Sequence, residues 1–392
     1  MASAVTVQPT TTEQKTATPR RYRLIDADAH VNEPPDLWTS RVSARYRDRV
    51  PRMERFEQGD AWVIEGAREP INFGFNACAG MEPSKRRAWM RWEDVRPGGH
   101  DPAARLLEMD EGGTDASILF PTPRLSHGVI ATQDPDMHLE MVRAYNDWIA
   151  DYAAHDPSRL GGVYILPNRG VDMAVAEVER LAGRPGLAGA LLGCYPHGNL
   201  DLAEEDDPLW AALEKHGVVL HIHVGLIDQM PTDIFAPKVV SVGHLGGDLR
   251  FLQAPQRMMQ FVVARVFDRF PGLRVVMAEV DAGWVPYLKE QVDNRYRRRL
   301  DHHAAPDYTL PSEVIEKHFW YTYITDHFAI RERHAIGVDR IMWSSDYPHS
   351  GSDWPRSWPV IDAAFAGVPD AERDRILAGN AQELYGFGRA PR

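Results

Sequence analysis

The feature that most constrains this chain is a repeat of pattern rather than of residues. Eight short apolar, β-branched runs bounded by turn residues recur along it, and stretches of helical length with amphipathic spacing lie between them. The runs are YRLIDADAHV (22–31), TDASILFPT (114–122), LGGVYILP (160–167), LAGALLGCYP (187–196), VVLHIHVG (218–225), LRVVMAEV (273–280), FWYTYITD (319–326) and DRIMWSSDYP (339–348). Helices are predicted over 102–111, 135–154, 171–181, 208–216, 255–269, 283–299 and 330–336. Several open with Pro in the first turn after an acidic cap, as in Asp134-Pro135 and Asp207-Pro208. Alternating strands and helices give a parallel sheet, and eight strands close a barrel. The expected fold is therefore α/β, a single (β/α)8 TIM barrel. A doubly wound open sheet competes, but it would carry a glycine-rich phosphate turn after its first strand, where this chain has Asp28-Ala29-His30.

The chain has 392 residues, long for one average domain but ordinary for a barrel with an elaboration. The elaboration is expected at 34–98, because the gap between the first run and the helix starting near Pro102 far exceeds a normal βα loop. Its Trp62, Trp89 and Trp92, with Arg86, Arg87 and Arg91, suit a lid or a subunit contact, or an excursion packed on its own aromatic rings. Residues 1–19, rich in Thr, Ala, Pro and Gln, are expected to be a disordered N-terminal tail without a secretory signal, which leaves 20–392 as the barrel domain.

Charge and cysteine usage exclude several roles. A formal charge of −12 works against phosphate contacts, so nucleic acid is not an expected partner. No stretch approaches 18 apolar residues, so no membrane span is expected. Cys78 and Cys194 are too few for a disulfide framework or a thiolate cage, and point to a cytoplasmic protein whose thiols are inert.

In a barrel of this kind the chemistry sits at the C-terminal ends of the strands. The first run ends in Asp26-Ala27-Asp28-Ala29-His30, and residues two apart share a face, so Asp28 and His30 can serve one metal ion together. The fifth carries His221-Ile222-His223, with His223 nearer the rim; the sixth ends at Glu279, followed by Asp281; the eighth ends in Ser344-Ser345-Asp346-Tyr347-Pro348-His349. Taken singly, each has a plainer reading: a strand histidine is usually satisfied in the core, and a strand-end Asp usually caps the next helix. Their coincidence at one end of successive strands makes Asp28, His30, His223 and Asp346 the expected metal ligands, with Glu279 and His349 as acid–base groups. His244, in SVGHLGG, is a further candidate on a substrate loop, or merely part of a turn. The basic run Arg295 to Arg299 is read as a solvated helix end.

The segments IDADAHVNEPPDLW, DPAARLLEMDEGGTDASILFPT, AYNDWIADYAAHDPSRLGGVYILP, DPLWAALEKHGVVLHIHVG, FPGLRVVMAEVDAGWVPYL and DRIMWSSDYPH together resemble the amidohydrolase-related branch of the amidohydrolase superfamily. That branch includes aminocarboxymuconate semialdehyde decarboxylase and related aromatic acid decarboxylases. The resemblance places the family's ligands on the same Asp28, His30, His223 and Asp346, and implies a homodimer or larger homo-oligomer. It departs at two positions: Asp28 stands where relatives typically have His or Glu, and Glu279 where their decarboxylases usually have a histidine.

Two reactions follow from one divalent ion, expected to be zinc, with manganese or iron as alternatives. In the first, the ion acidifies a bound water that attacks a small, carboxylated or cyclic substrate while Glu279 or His349 shuttles the proton. In the second, a carboxylated aromatic or unsaturated acid loses carbon dioxide without hydrolysis. The missing histidine at position 279 tilts the expectation toward a hydrolase. A barrel that binds ligand or metal without turnover is the remaining reading.

Overall fold

The computed structural model describes residues 22–228, 249–300 and 309–388; residues 1–19 and His244 lie outside them. Eight parallel strands form one sheet: β1 (Ile25–His30), β2 (Ala116–Phe120), β3 (Leu160–Ile165), β4 (Leu187–Leu191), β5 (Val219–His223), β6 (Val275–Ala278), β7 (Phe319–Tyr323) and β8 (Ile341–Trp343). They pair in sequence order. Backbone hydrogen bonds bring the last back to the first: Asp346 N–H donates to the Asp28 carbonyl at 3.0 Å, and His30 N–H to the Tyr347 carbonyl at 2.6 Å. The expected (β/α)8 barrel is the observed fold.

All eight strands are shorter than the apolar runs that predicted them. The excess lies mostly at the C-terminal ends, where the backbone leaves the ladder. Val224, Glu279, Asp281 and Asp346 take φ of 59°, 56°, 54° and 55° there. This is the left-handed region that side chains other than Gly rarely occupy.

The helices follow their caps. Asp134 accepts a hydrogen bond from Met137 N–H, Pro135 sits in the first turn, and helix Pro135–Ala153 then buries Met137, Met141, Val142, Tyr145 and Ile149 at helical spacing. Asp101 caps Pro102–Gly112 in the same way, and Gly113, at φ 72°, ends it. Two predicted helices are broken. The stretch 255–269 divides into Ala254–Val263 and Val266–Arg269 around Arg265 at φ 54°, and 330–336 into His327–Arg331 and Arg333–Ile336. Helix Pro123–Ala131, directly after β2, was not predicted.

The insertion packs into the same apolar core as the barrel, through Leu37, Trp38, Trp62, Ile64 and Phe73. It contains helix Leu37–Arg41 and an antiparallel hairpin of Arg52–Arg55 with Asp60–Val63. Trp62 meets Trp38 edge to face at 5.7 Å. Its far end is tied to the loop after β8. Ala79 N–H donates to the Pro348 carbonyl at 2.9 Å, Ser350 N–H to Phe75 at 2.8 Å, and the Arg86 guanidinium to the Ser350 carbonyl at 2.6 Å. Among the described residues no helix is long and apolar enough to cross a membrane.

Candidate active site

Three strands, β1, β5 and β8, deliver the predicted ligands to one point at the C-terminal mouth. The donor atoms of Asp28, His30 and His223 lie within 4.8 Å of one another, and so do those of His30, Asp346 and His349. His30 Nε2 is 3.8 Å from Asp28 Oδ1 and 3.5 Å from Asp346 Oδ1, and His223 Nε2 is 3.6 Å from the same Asp28 oxygen. Asp28, His30 and Asp346 are buried, and His223 nearly so.

The surroundings aim these atoms inward. His30 Nδ1 lies 3.0 Å from the Pro121 carbonyl, which can only accept, so Nδ1 carries the proton and Nε2 presents a bare lone pair to the cluster. Thr322 donates to Asp28 Oδ2 at 3.0 Å and accepts from Glu279 N–H at 2.7 Å, leaving Asp28 Oδ1 to the histidines. Asp28 Oδ1, His30 Nε2 and His349 Nε2 are buried without a hydrogen-bond partner, and His223 Nε2 and Asp346 Oδ1 meet only other members of the cluster, Glu279 Oε2 and His349 Nδ1. Such orphaned polar atoms are rare because desolvating them costs free energy. Two imidazoles and two carboxylates converging on one buried point fit a divalent cation.

The electrostatics agree. Burial, followed by the charges of His349 and His223, lowers the His30 pKa well below its ordinary value. For His223 burial works in the same direction, yet Asp28 and Glu279 beside it push the imidazole up to about 10. Burial and the neighbouring Glu279 raise Asp346 well above the usual carboxylate range. Crowded carboxylates thus draw a proton onto a ligand histidine, a role that a bound cation would take over.

Glu279 stands at the edge of this cluster. Its Oε2 is 3.0 Å from His223 Nε2, and its Oε1 is 2.7 Å from the guanidinium of Arg250, which also approaches Asp346 Oδ2 at 4.0 Å. Burial opposes ionisation, but His223 and Arg250 hold the carboxyl well below its usual range. His349 stacks on His30 with ring centroids 4.0 Å apart, and its Nδ1 is 2.6 Å from Asp346 Oδ1. Burial lowers its pKa to about 4. His221, the other histidine of β5, belongs to the core, with Nε2 3.0 Å from the Tyr385 hydroxyl. Cys78 and Cys194 are free and buried, and burial raises both thiols.

Sequence reasoning missed Arg250, Thr322 and His127. Arg250 lies in a stretch without periodic pattern, and His127 on the helix that was not predicted. Thr322 carried a usable signal, being a hydroxyl at the last residue but one of the seventh strand.

A parallel barrel with a buried histidine–carboxylate cluster at its C-terminal mouth defines the class: a (β/α)8 enzyme built around a metal site. The chain belongs to the amidohydrolase family, whose model, described as "Amidohydrolase", matches residues 25–387. It is 26% identical over 329 residues to a gamma-resorcylate decarboxylase from Polaromonas sp., spanning 79% of this chain and 94% of that protein. An amidohydrolase from Mycobacterium avium subsp. paratuberculosis superposes with a TM-score of 0.70 at 21% identity, over 94% of this chain and 100% of that one. A dihydroxybenzoic acid decarboxylase from Polaromonas sp., with bound manganese and the inhibitor 2-nitroresorcinol, gives 0.61 at 18% identity over 94% and 98%.

The expectation of a hydrolase is overturned by the gamma-resorcylate decarboxylase and by further relatives at a similar level of identity, which are also decarboxylases. The inference from position 279 failed for a physical reason. It took the missing histidine as evidence against decarboxylation, whereas the carboxylate in its place is engaged on both oxygens, by Arg250 and His223, and another imidazole, His349, stands within the cluster.

Proposed function

We propose that this protein is a metal-dependent, non-oxidative decarboxylase of an aromatic acid. The observation that carries the reading is the buried convergence of donor atoms on Asp28, His30, His223 and Asp346, with Asp28 Oδ1 and His30 Nε2 unpaired, in a chain whose relatives of known activity remove a carboxyl group from a ring acid. These residues would hold one divalent ion, with His349 within reach of it. Manganese is the ion to load first, since the similar dihydroxybenzoic acid decarboxylase holds it; zinc, the expectation from sequence, forms the second arm. When bound, such an ion supplies a Lewis acid that binds the substrate's carboxylate end.

The protein's own groups do the rest. Arg250, partly exposed beside the cluster, orients the carboxylate, and Glu279 positions Arg250. The bond from ring carbon to carboxylate breaks, its electron pair stays on the ring carbon, and that carbon takes a proton. His349 carries the proton: its Nε2 is buried and unpaired, and Asp346 beside Nδ1 offsets the charge of the imidazolium. Burial lowers its pKa to about 4, so the imidazolium forms only in passing, taking its proton from solvent water and giving it to the ring carbon as carbon dioxide leaves. Two buried, unpaired cysteines support a reducing, cytoplasmic setting.

The test is carbon dioxide release from a panel of hydroxylated benzoic acids by the protein loaded with manganese or with zinc. Metal-dependent release is expected from at least one acid. No release from any acid with either ion overturns the reading.

A further inference from the structure

Beside the metal cluster a narrow cleft opens against His223. Its walls are mainly apolar, from Phe120, Pro121, Ile130, Leu191 and Ile227. The Phe120 ring also lies 5.3 Å from that of His223, so the cleft and the candidate ligands share a wall. Three side chains with hydrogen-bonding groups reach its lining: Ser126, His127 and His223. Ser126 already donates to the Pro123 carbonyl at 2.8 Å, and His223 belongs to the ligand set. The Nδ1 of His127 is buried and has no hydrogen-bond partner.

We propose that this cleft receives the substrate ring and that His127 recognises a neutral hydroxyl on it, away from the carboxylate. The inference rests on the decarboxylase reading and goes beyond it by naming the residue that selects among ring acids. Burial, with the charges of His223 and Arg124 nearby, lowers the His127 pKa to about 4, so the imidazole is neutral at pH 7. A neutral imidazole offers one donor and one acceptor, and a hydroxyl both gives and takes a hydrogen bond. It gives a buried carboxylate no compensating charge. The two ends of the site therefore differ in kind. Arg250 and the carboxylate cluster face the acid group, and the apolar cleft with His127 faces the remote part of the ring.

The experiment measures binding to the full-length protein loaded with manganese, using unreactive probes in which a nitro group replaces the carboxylate. The probes are 2-nitrophenol and its derivatives with one further hydroxyl at each position away from the nitro group. At least one derivative is expected to bind the wild type about tenfold more tightly than 2-nitrophenol, the worth of one neutral hydrogen bond. His127→Phe should reduce that advantage to within about twofold of 2-nitrophenol measured on the same variant, and His127→Gln should restore part of it. Manganese content and melting temperature confirm that each variant is folded and loaded. If the advantage survives in His127→Phe, or no derivative outbinds 2-nitrophenol, the role of His127 is wrong and the decarboxylase reading stands on its own test. If no nitrophenol binds and no acid is decarboxylated, the decarboxylase reading fails and takes this one with it.

Discussion

Glu279 and Arg250 form an ion pair at 2.7 Å on the rim of a carboxylate cluster, and the Glu279 carboxylate reaches His223 with its other oxygen. The guanidinium is thereby held at the open side of the site while its partner stays ionised. Removing it should leave the acid group of a substrate without its protein counter-charge. Arg250→Ala is expected to raise KM for an aromatic acid by about 10- to 100-fold, the worth of a hydrogen bond to a charged group. Steady-state carbon dioxide release checks this, and an unchanged KM would remove Arg250 from substrate binding.

His223→Ala and Asp346→Ala each delete a proposed ligand and should abolish retention of the ion. Elemental analysis after gel filtration provides the measurement. Stoichiometric metal in both variants would refute the site, whatever the activity.

Thr322→Val keeps the shape of β7 but removes the hydroxyl that holds Asp28 Oδ2 and receives Glu279 N–H. Outer partners of this kind commonly tune metal affinity by about 10- to 100-fold. A loss of that size is expected in a competitive chelator titration, with the fold intact by circular dichroism.

Two core histidines make stability depend on pH. His138 Nε2 accepts from Asn168 N–H at 3.1 Å, while its Nδ1 lies 2.8 Å from the Val129 carbonyl, so the ring is held neutral. Burial lowers the pKa of His138 to about 4 and that of His221 to about 3. Below the unfolded-state value of about 6.5 the unfolded chain binds more protons than the native one. Stability should therefore fall as pH drops from about 6.5, by roughly 2 kcal/mol per histidine at pH 5. Denaturant titrations at pH 7 and pH 5 test the sign, and His138→Gln should flatten the slope.

Arg86→Ala cuts the tie between the insertion and the Ser350 carbonyl, next to His349. A loss of about 1 to 2 kcal/mol in stability is expected, together with reduced turnover as the β8 loop loosens. Chemical denaturation and carbon dioxide release measure the two effects separately.

Much of this was legible in the residues. Strand number and order followed from the spacing of the apolar runs, since a strand covered on both faces must be apolar throughout. The ligand positions followed from period-two geometry at Asp28 and His30, and from the strand-end position of His223 and Asp346. What could not be read was set by contacts distant in sequence. Thr322 reaches Asp28 across the barrel, and Arg250 meets Glu279 from an unpatterned segment. Helix Pro123–Ala131 escaped because its run to Ala131 carries few charges and has no acidic cap, so that it reads as loop after TDASILFPT. Glu279 was visible as a strand-end carboxylate, but its partners were not, and the hydrolytic expectation failed there.

Glu279 and Asp346 both hold left-handed backbone, a conformation that costs a residue with a side chain roughly 1 to 3 kcal/mol. Directed evolution for heat resistance alone should therefore drift toward glycine or asparagine at positions 279 and 346, and the melting temperature should climb as turnover disappears. The positions where the two traits separate would trace the outline of the catalytic mouth with no ligand bound to it.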